Sequence, residues 1–189
     1  MNTQFQPFPE LASERMRLCR FGRQHFEGMF ELRKSEDVMR YVERPRPESI
    51  ADIEKMWESN NAMIDSEEGV MWVIESKEEN KMMGTIGFWR MKKEHHRAEI
   101  GYMLLPQYWR KGYMSEALEV VLKFAFDAMQ VHSIEADINP ENEASAAILE
   151  KHGFVREAFF RENYFWKGVY LNSAIYSLLE QDYKQRRSQ

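Results

Sequence analysis

The chain has 189 residues, enough for one sizeable core and few for two domains, and its 43% hydrophobic and 30% charged content excludes wholesale disorder. A formal charge of −5 excludes a general nucleic-acid binder, whose affinity would need an excess of Lys and Arg over a broad face, and confines any phosphate site to a local pocket. Cys19 is the only cysteine, which excludes an internal disulfide and a cysteine-based metal cluster. No run of about 18 apolar residues occurs and the first residues lack a basic start, so a cytoplasmic protein without membrane contact is expected.

In chain order, residues 1–13 are broken by Pro7 and Pro9 and read as a flexible arm. Residues 15–21 alternate apolar and polar positions, giving a first strand with Cys19 as a buried structural thiol. Phe26, Met29, Phe30 and Arg33 recur at helical spacing, and a further turn runs through Val38 and Met39. Pro45 and Pro47 keep residues 41–47 from being helical throughout. Ser49 and Asp52 form a capping box for a helix whose stripe is Ile50, Ile53, Met56, Trp57, Asn60 and Ile64. Two strands follow, at 69–75 and 82–91, joined by the polar turn at 76–80. His95 and His96 are neighbours in extended chain, point apart and cannot easily share a metal, and no HExxH, CxxC or P-loop pattern occurs, so no metal is expected.

Residues 98–105 read as a strand closed by Pro106, and Met114, Ala117, Leu118, Val121, Leu122, Ala125 and Ala128 mark a helix with one buried face beginning at Gly112. The first N–H groups of a helix have no internal partner and the dipole is positive there. With Arg110 and Lys111 before Gly112, residues 109–115 form a candidate diphosphate cradle; the plainer reading is an ordinary helix start after a basic turn. A strand at 133–138 leads to a helix opened by Asn142 or Ser145 and closed by Gly153, followed by strands at 154–161 and 170–179. The polar tail is expected to fray. The elements add up to an α+β fold, a mixed sheet with helices on its faces.

The segments Ala98-Glu99-Ile100-Gly101-Tyr102, Tyr108 to Ala117, Asn142 to Ser145 and Glu150 to Phe154 together resemble the GCN5-related N-acetyltransferase (GNAT) family, in particular its ribosomal-protein branch typified by RimJ and RimL. The resemblance implies a mostly antiparallel acyl-CoA N-acyltransferase sheet in one domain at 14–183, with residues 184–189 as a polar tail. It implies acetyl-CoA as cofactor and direct attack by an amine, with a protein N-terminus, ribosomal by default, as acceptor. Coenzyme contacts are then expected from Met103, Leu104, Leu105, Trp109, Arg110, Lys111, Gly112, Tyr113, Met114, Ser115, Asn142, Ser145 and Lys151, with an N–H near Leu104 or Leu105 polarising the thioester carbonyl. Glu99 is the first choice of general base, through a water, and Ser145 of acid, because Leu149 stands where many relatives carry a Tyr. Tyr41 and Trp57 are candidate acceptor contacts.

Three readings stay open on the sequence. They are acetylation of a protein N-terminus, acetylation of a small amine such as a polyamine, amino sugar or antibiotic, and an acyl-CoA sensor without turnover. Association into a homodimer is also left open.

Overall fold

Eight strands form one sheet in the computed structural model, which describes residues 1–187. They are β1 (Leu11–Ala12), β2 (Met16–Arg20), β3 (Val70–Ser76), β4 (Met82–Lys92), β5 (Arg97–Leu104), β6 (Ser133–Ile138), β7 (Val155–Trp166) and β8 (Val169–Leu179). Their order is β1-β2-β3-β4-β5-β6-β8-β7, and every neighbouring pair is antiparallel except β5 with β6. The helices are α1 (Phe26–Lys34), α2 (Glu36–Met39), α3 (Ile50–Asp65), α4 (Tyr113–Asp127), α5 (Glu143–Lys151) and α6 (Glu180–Arg187). The expected α+β class is the observed one, and no helix is long and apolar enough to cross a membrane among the described residues.

Cross-strand register decides which face each side chain takes. Trp72, Ile86 and Tyr102 stand opposite one another on β3, β4 and β5, so they share a face. That face carries α4 and α5: the Trp72 ring meets Phe124 at 5.4 Å, and Tyr102 reaches Ser145. Met103 points the other way, where Arg33 of α1 contacts its sulfur. The core between these layers includes Met16, Leu18, Trp72, Ile86, Phe88, Leu118, Val121 and Ile134, each fully buried. Helix α3 begins as its sequence demands, with Ser49 and Asp52 completing the capping box.

Three expectations are corrected. Residues 1–13 are not a loose arm: Phe5 is 1% exposed, Asn2 N–H bonds the Met129 carbonyl, and the Trp72 indole donates to the Pro9 carbonyl at 2.6 Å. Prolines forbid a regular ladder but do not prevent an aromatic anchor. The tail likewise forms α6, because Tyr183 stacks on Phe126 at 4.5 Å and Arg186 donates to the Lys151 carbonyl; residues 188–189 lie outside the described residues. Strand β7 runs to Trp166 rather than ending at 161, since Lys167 and Gly168, both at positive φ, make a two-residue turn into β8.

Replacing Phe5 by Ala is therefore expected to cost about 3 kcal/mol in urea unfolding, as for other buried aromatic truncations. A loss below about 0.5 kcal/mol, typical of exposed positions, would return the segment to the status of a loose arm.

Candidate active site

Strands β5 and β6 pair over only three positions, Arg97 with Ser133, Ala98 with Ile134 and Glu99 with Glu135. Both strands continue, to Leu104 and Ile138, without pairing further, so a fork opens between them. Hydrogen-bonding direction alternates along β5. Leu105 donates to the Met83 carbonyl at 2.8 Å, so Leu105, Met103 and Gly101 turn their backbone groups toward β4. Tyr102 and Leu104 turn theirs into the fork. Of the two amides expected to polarise a thioester, Leu105 is thus already engaged and Leu104 alone faces the opening. The Leu104 carbonyl accepts from the Trp109 indole at 2.6 Å, which ties the strand end to the basic turn beyond it.

Glu99 stands at the crotch of this fork and is 8% exposed. A buried carboxylate is costly unless paired, and three contacts pair this one. Trp89 Nε1 donates at 2.9 Å and Arg90 Nη1 at 2.9 and 3.2 Å. Adjacent strand residues normally point to opposite faces, but β4 is bulged between Trp89 and Lys92 and Arg90 has φ +46°, which lets both reach one carboxylate. Gly101 completes the arrangement: a Cβ there would stand 1.9 Å from the Trp89 ring. The Arg90 guanidinium consequently titrates above its ordinary value, chiefly through its hydrogen bond to Glu99.

The basic turn reaches α4 through Gly112 at φ +81°, a conformation that disfavours any side chain. No side chain caps the helix, and its first closing bond runs from Glu116 N–H to the Gly112 carbonyl. The amides of Tyr113, Met114 and Ser115 therefore belong to the first turn, which has no intrahelical acceptors. Arg15, absent from the sequence-based candidates, braces the turn: it pairs with Glu116 at 2.6 Å, donates to the Lys111 carbonyl and lies 4.2 Å over the Tyr113 ring. Lys151 arrives from α5 and donates to Ser115 Oγ at 3.0 Å, while His152 Nε2 lies 2.9 Å from the same oxygen. Burial, then the charges of Lys151 and Arg186, push His152 down to about 4, so a neutral ring shares this hydrogen bond with Ser115 near neutral pH. Arg110 and Lys111 are exposed and Met114 is buried. Exposed cations, open amides and a glycine with no Cβ suit a diphosphate, and the fork's free strand amides suit a pantetheine arm.

On the α5 side of the fork, the Tyr102 hydroxyl lies 2.9 Å from Ser145 Oγ. Burial pushes the Tyr102 phenol up to about 12, with the Ser145 hydrogen bond opposing. Asn142 caps α5 through Oδ1, which accepts the Ser145 amide at 3.1 Å, leaving its NH2 available to a ligand. Tyr102 was missed because an apolar-looking strand position gives no hint that its hydroxyl meets a helix 43 residues away.

On the opposite face lies an acidic cluster that the sequence did not reveal. Asp137 of β6 keeps an exposed side chain, and the protein around it raises its carboxyl from the ordinary value, desolvation first, a Ser173 hydrogen bond opposing and the charge of Glu99 adding. Glu43 is also raised, by burial first, and it feels Asp137 and bonds Asn139. Tyr41 sits two residues before Glu43, with Arg40 over its ring at 5.4 Å. Trp57 lies elsewhere: its indole donates to the Phe21 carbonyl and its ring packs on Phe26, beside β2 and three strands from β5. It is half-buried there and lines a separate cavity with Phe21, Gly22 and Asn61, away from the fork.

A second cluster joins Cys19, His25 and Glu75, whose donor atoms lie within 4.8 Å of one another. His25 Nδ1 accepts the Gly22 amide, so its proton sits on Nε2, 2.9 Å from Glu75. Burial pushes the Cys19 thiol up to about 12. These groups satisfy each other.

A model described as an acetyltransferase (GNAT) domain matches residues 15–155. Over 173 residues the chain is 32% identical to an uncharacterized N-acetyltransferase, YoaA of Bacillus subtilis (strain 168), covering 92% of this chain and 98% of that protein. Its fold matches a spermidine N-acetyltransferase from Vibrio cholerae, solved with CoA and spermine, at TM-score 0.80 and 21% identity, covering 91% of this chain and 99% of that one. It matches RimL, a ribosomal L7/L12 alpha-N-protein acetyltransferase solved with coenzyme A, at TM-score 0.82 and 18% identity, covering 90% and 98%. With most of its length matched to one domain model, and a forked sheet suited to a thioester arm, the chain belongs to the GNAT family and is an acetyl-CoA-dependent N-acetyltransferase.

Proposed function

We propose that the acceptor is the α-amino group of a protein N-terminus, with a ribosomal protein as the default by likeness to RimL. The observation that carries this reading is geometric: Asp137 stands on the end of β6 that β5 no longer pairs, beside the opening that the Leu104 amide faces. An α-amine titrates at about 7.7–8.0 and a lysine at about 10.4, so a carboxylate basic beyond its normal range closes the gap to the former far better. Asp137 takes the base role first expected of Glu99, whose oxygens are engaged by Arg90 and Trp89. Glu99 instead fixes the fork and contributes negative charge beside the base. Tyr41 lines the acceptor side.

Acetyl-CoA supplies a thioester carbonyl that a neutral amine attacks. The amides of Tyr113, Met114 and Ser115, with Arg110, Lys111 and Lys151, hold its diphosphate. Gly112 keeps the approach clear, Trp109 fixes the turn, and the Asn142 amide serves the pantetheine. The Leu104 amide donates to the thioester oxygen, as an oxyanion donor does. Ser145 and Tyr102 donate hydrogen bonds to the departing sulfur.

A small polycationic amine is the second reading. Glu43, Glu99, Glu135 and Asp137 share one face, and the spermidine N-acetyltransferase has the same fold. Acetyl-CoA thiol release should be measured on Ala- and Ser-initiated peptides, spermidine, spermine and amino sugars. Peptides are expected to lead in kcat/KM by at least about tenfold; a faster polyamine would transfer the assignment, and no release on any amine would leave an acyl-CoA sensor. Because a raised pKa means the base is protonated over a wider acidic range, the acid limb of kcat/KM should fall as pH drops through a value above the ordinary carboxylate range. Asp137→Asn should abolish that limb and lower turnover by about 10²-fold or more, whereas Glu99→Gln should retain it.

Gly112→Asp places a carboxylate where the diphosphate sits and should weaken coenzyme binding by calorimetry about 10- to 100-fold; parent-like affinity would move the phosphate site elsewhere. Tyr102→Phe and Ser145→Ala should each lower kcat about tenfold with coenzyme affinity nearly unchanged, and an undiminished rate in either removes that hydroxyl from the reaction.

A further inference from the structure

Helix α1 buries Phe26, Met29, Leu32 and Arg33, so a guanidinium stands where the stripe calls for an apolar side chain. Arg33 is 9% exposed, whereas Glu31 and Lys34 of the same helix lie in solvent. A buried cation is costly unless a carboxylate or a set of acceptors compensates it. This one has neither. Its Nε is buried without a hydrogen-bond partner, and its Nη1 reaches only the Met103 sulfur at 3.7 Å, a weak acceptor. No carboxylate pairs with it among the described residues, and burial, then the charge of a second guanidinium, Arg44, lower its titration from the ordinary value.

The position of this unmatched charge is what gives it meaning. Glu99 stands opposite Glu135 in the β5–β6 register, so Glu99, Gly101 and Met103 share a face with Glu135 and Asp137. Arg33 therefore meets β5 on the face of the acidic cluster. Met103 directly precedes Leu104, whose amide faces the fork, so the guanidinium lies one residue from the expected thioester site. Arg44 follows Glu43, which bonds Asn139 and feels Asp137 beyond the end of the β5–β6 pairing. The face has two poles. Arg33 and Arg44 are positive beside β5, and Glu43 and Asp137 are negative beside β6.

On the reading that the acceptor brings its α-amine to Asp137, on which this rests, we infer that Arg33 is a specificity-determining residue: it receives a carboxylate that the acceptor carries close to the reacting amine. A carboxylate gives a guanidinium charge-assisted hydrogen bonds and cancels the charge that the protein leaves unpaired. An acceptor with both groups is also oriented by them, its amine toward β6 and its carboxylate toward α1. A polyamine fits worst, because its second ammonium would meet two guanidinium groups. Two sources carry the required chemistry. One is a protein N-terminus that begins with Asp or Glu, and the other is a free amino acid.

Thiol release should be compared on peptides that differ only in the first residue, Asp and Glu against Asn and Gln, and on free alanine and serine against their amides. The acidic peptides should exceed their amide counterparts in kcat/KM by about 10- to 100-fold, chiefly through KM. In Arg33→Met that ratio should fall to about one. Methionine fills similar space beside Met103 without a buried charge, so the variant should melt at or above the parent's temperature. Should it fail to fold, Arg33→Lys reads the same ratio, which falls several-fold because an ammonium lacks the planar fork. Equal rates within both sets overturn the inference and leave the N-terminal α-amine as acceptor. A preference that persists undiminished in the Arg33 variants overturns it as well. Free amino acids that outrun both their amides and the peptides, with the same collapse in Arg33→Met, would uphold the carboxylate at Arg33 while removing the protein N-terminus. A polyamine that outruns every carboxylate-bearing amine would overturn both.

Discussion

Three residue pairs of parallel pairing, and no more, hold β5 to β6, and the candidate site is arranged around where they stop. A sheet that parts in mid-strand leaves backbone donors and acceptors without partners, which folding normally avoids because each costs free energy. The protein offsets this by making the point of parting rigid. Glu99, Trp89, Arg90 and Gly101 interlock there through a bulge, a left-handed arginine and a ring lying flat on a glycine. Removing Glu99 would leave the Trp89 indole and a guanidinium short of their acceptor. Removing the space at Gly101 would lift the ring from the carboxylate.

The same fork separates two charge environments that composition alone averages to −5. On the α4 and α5 face, Arg15, Arg110, Lys111 and Lys151 gather at the first turn of α4. On the other face stand Glu43, Glu99, Glu135 and Asp137, with Arg90 and Arg97 balancing part of them. Register enforces the division, because alternate positions of β5 and β6 face opposite sides of the sheet. In the proposed arrangement a phosphorylated cofactor and a cationic amine would be drawn to opposite mouths of one opening, so that neither neutralises the charge attracting the other.

Local patterns carried most of this fold into the sequence. The stripe of α4, the Ser49–Asp52 capping box, the turn at Gly112 and the cap at Asn142 are short-range chemistry, and each stands where its residues predict. What escaped notice depends on distant partners. Phe5 and Tyr183 are single aromatics in polar, proline-broken or charged stretches, and only the cavity each fills distinguishes them from solvent-exposed residues. Arg15 and Glu116 are 101 positions apart, and Tyr102 and Ser145 are 43. Asp137 reads as the polar half of an alternating strand, and nothing local says that Glu43 and Glu99 converge on it. Trp57 shows the opposite difficulty, since a large ring on a helix stripe has the same pattern whether it packs or binds.

The absence of a Tyr at position 149 can be weighed against what the fork provides instead. A thiol titrates near 8.5 and leaves tolerably as an anion, whereas the Tyr102 phenol is pushed up to about 12. Full proton transfer from that phenol to the thiolate would run uphill by roughly 5 kcal/mol, so Tyr102 serves poorly as an acid. As a hydrogen-bond donor it has no such penalty, because a buried, un-ionised phenol keeps its proton and can turn it toward developing charge on sulfur. Ser145 Oγ, 2.9 Å from the phenol oxygen, can accept its hydrogen bond or donate one of its own. In the proposed mechanism these two hydroxyls would stabilise the departing thiolate by hydrogen bonding without having to protonate it.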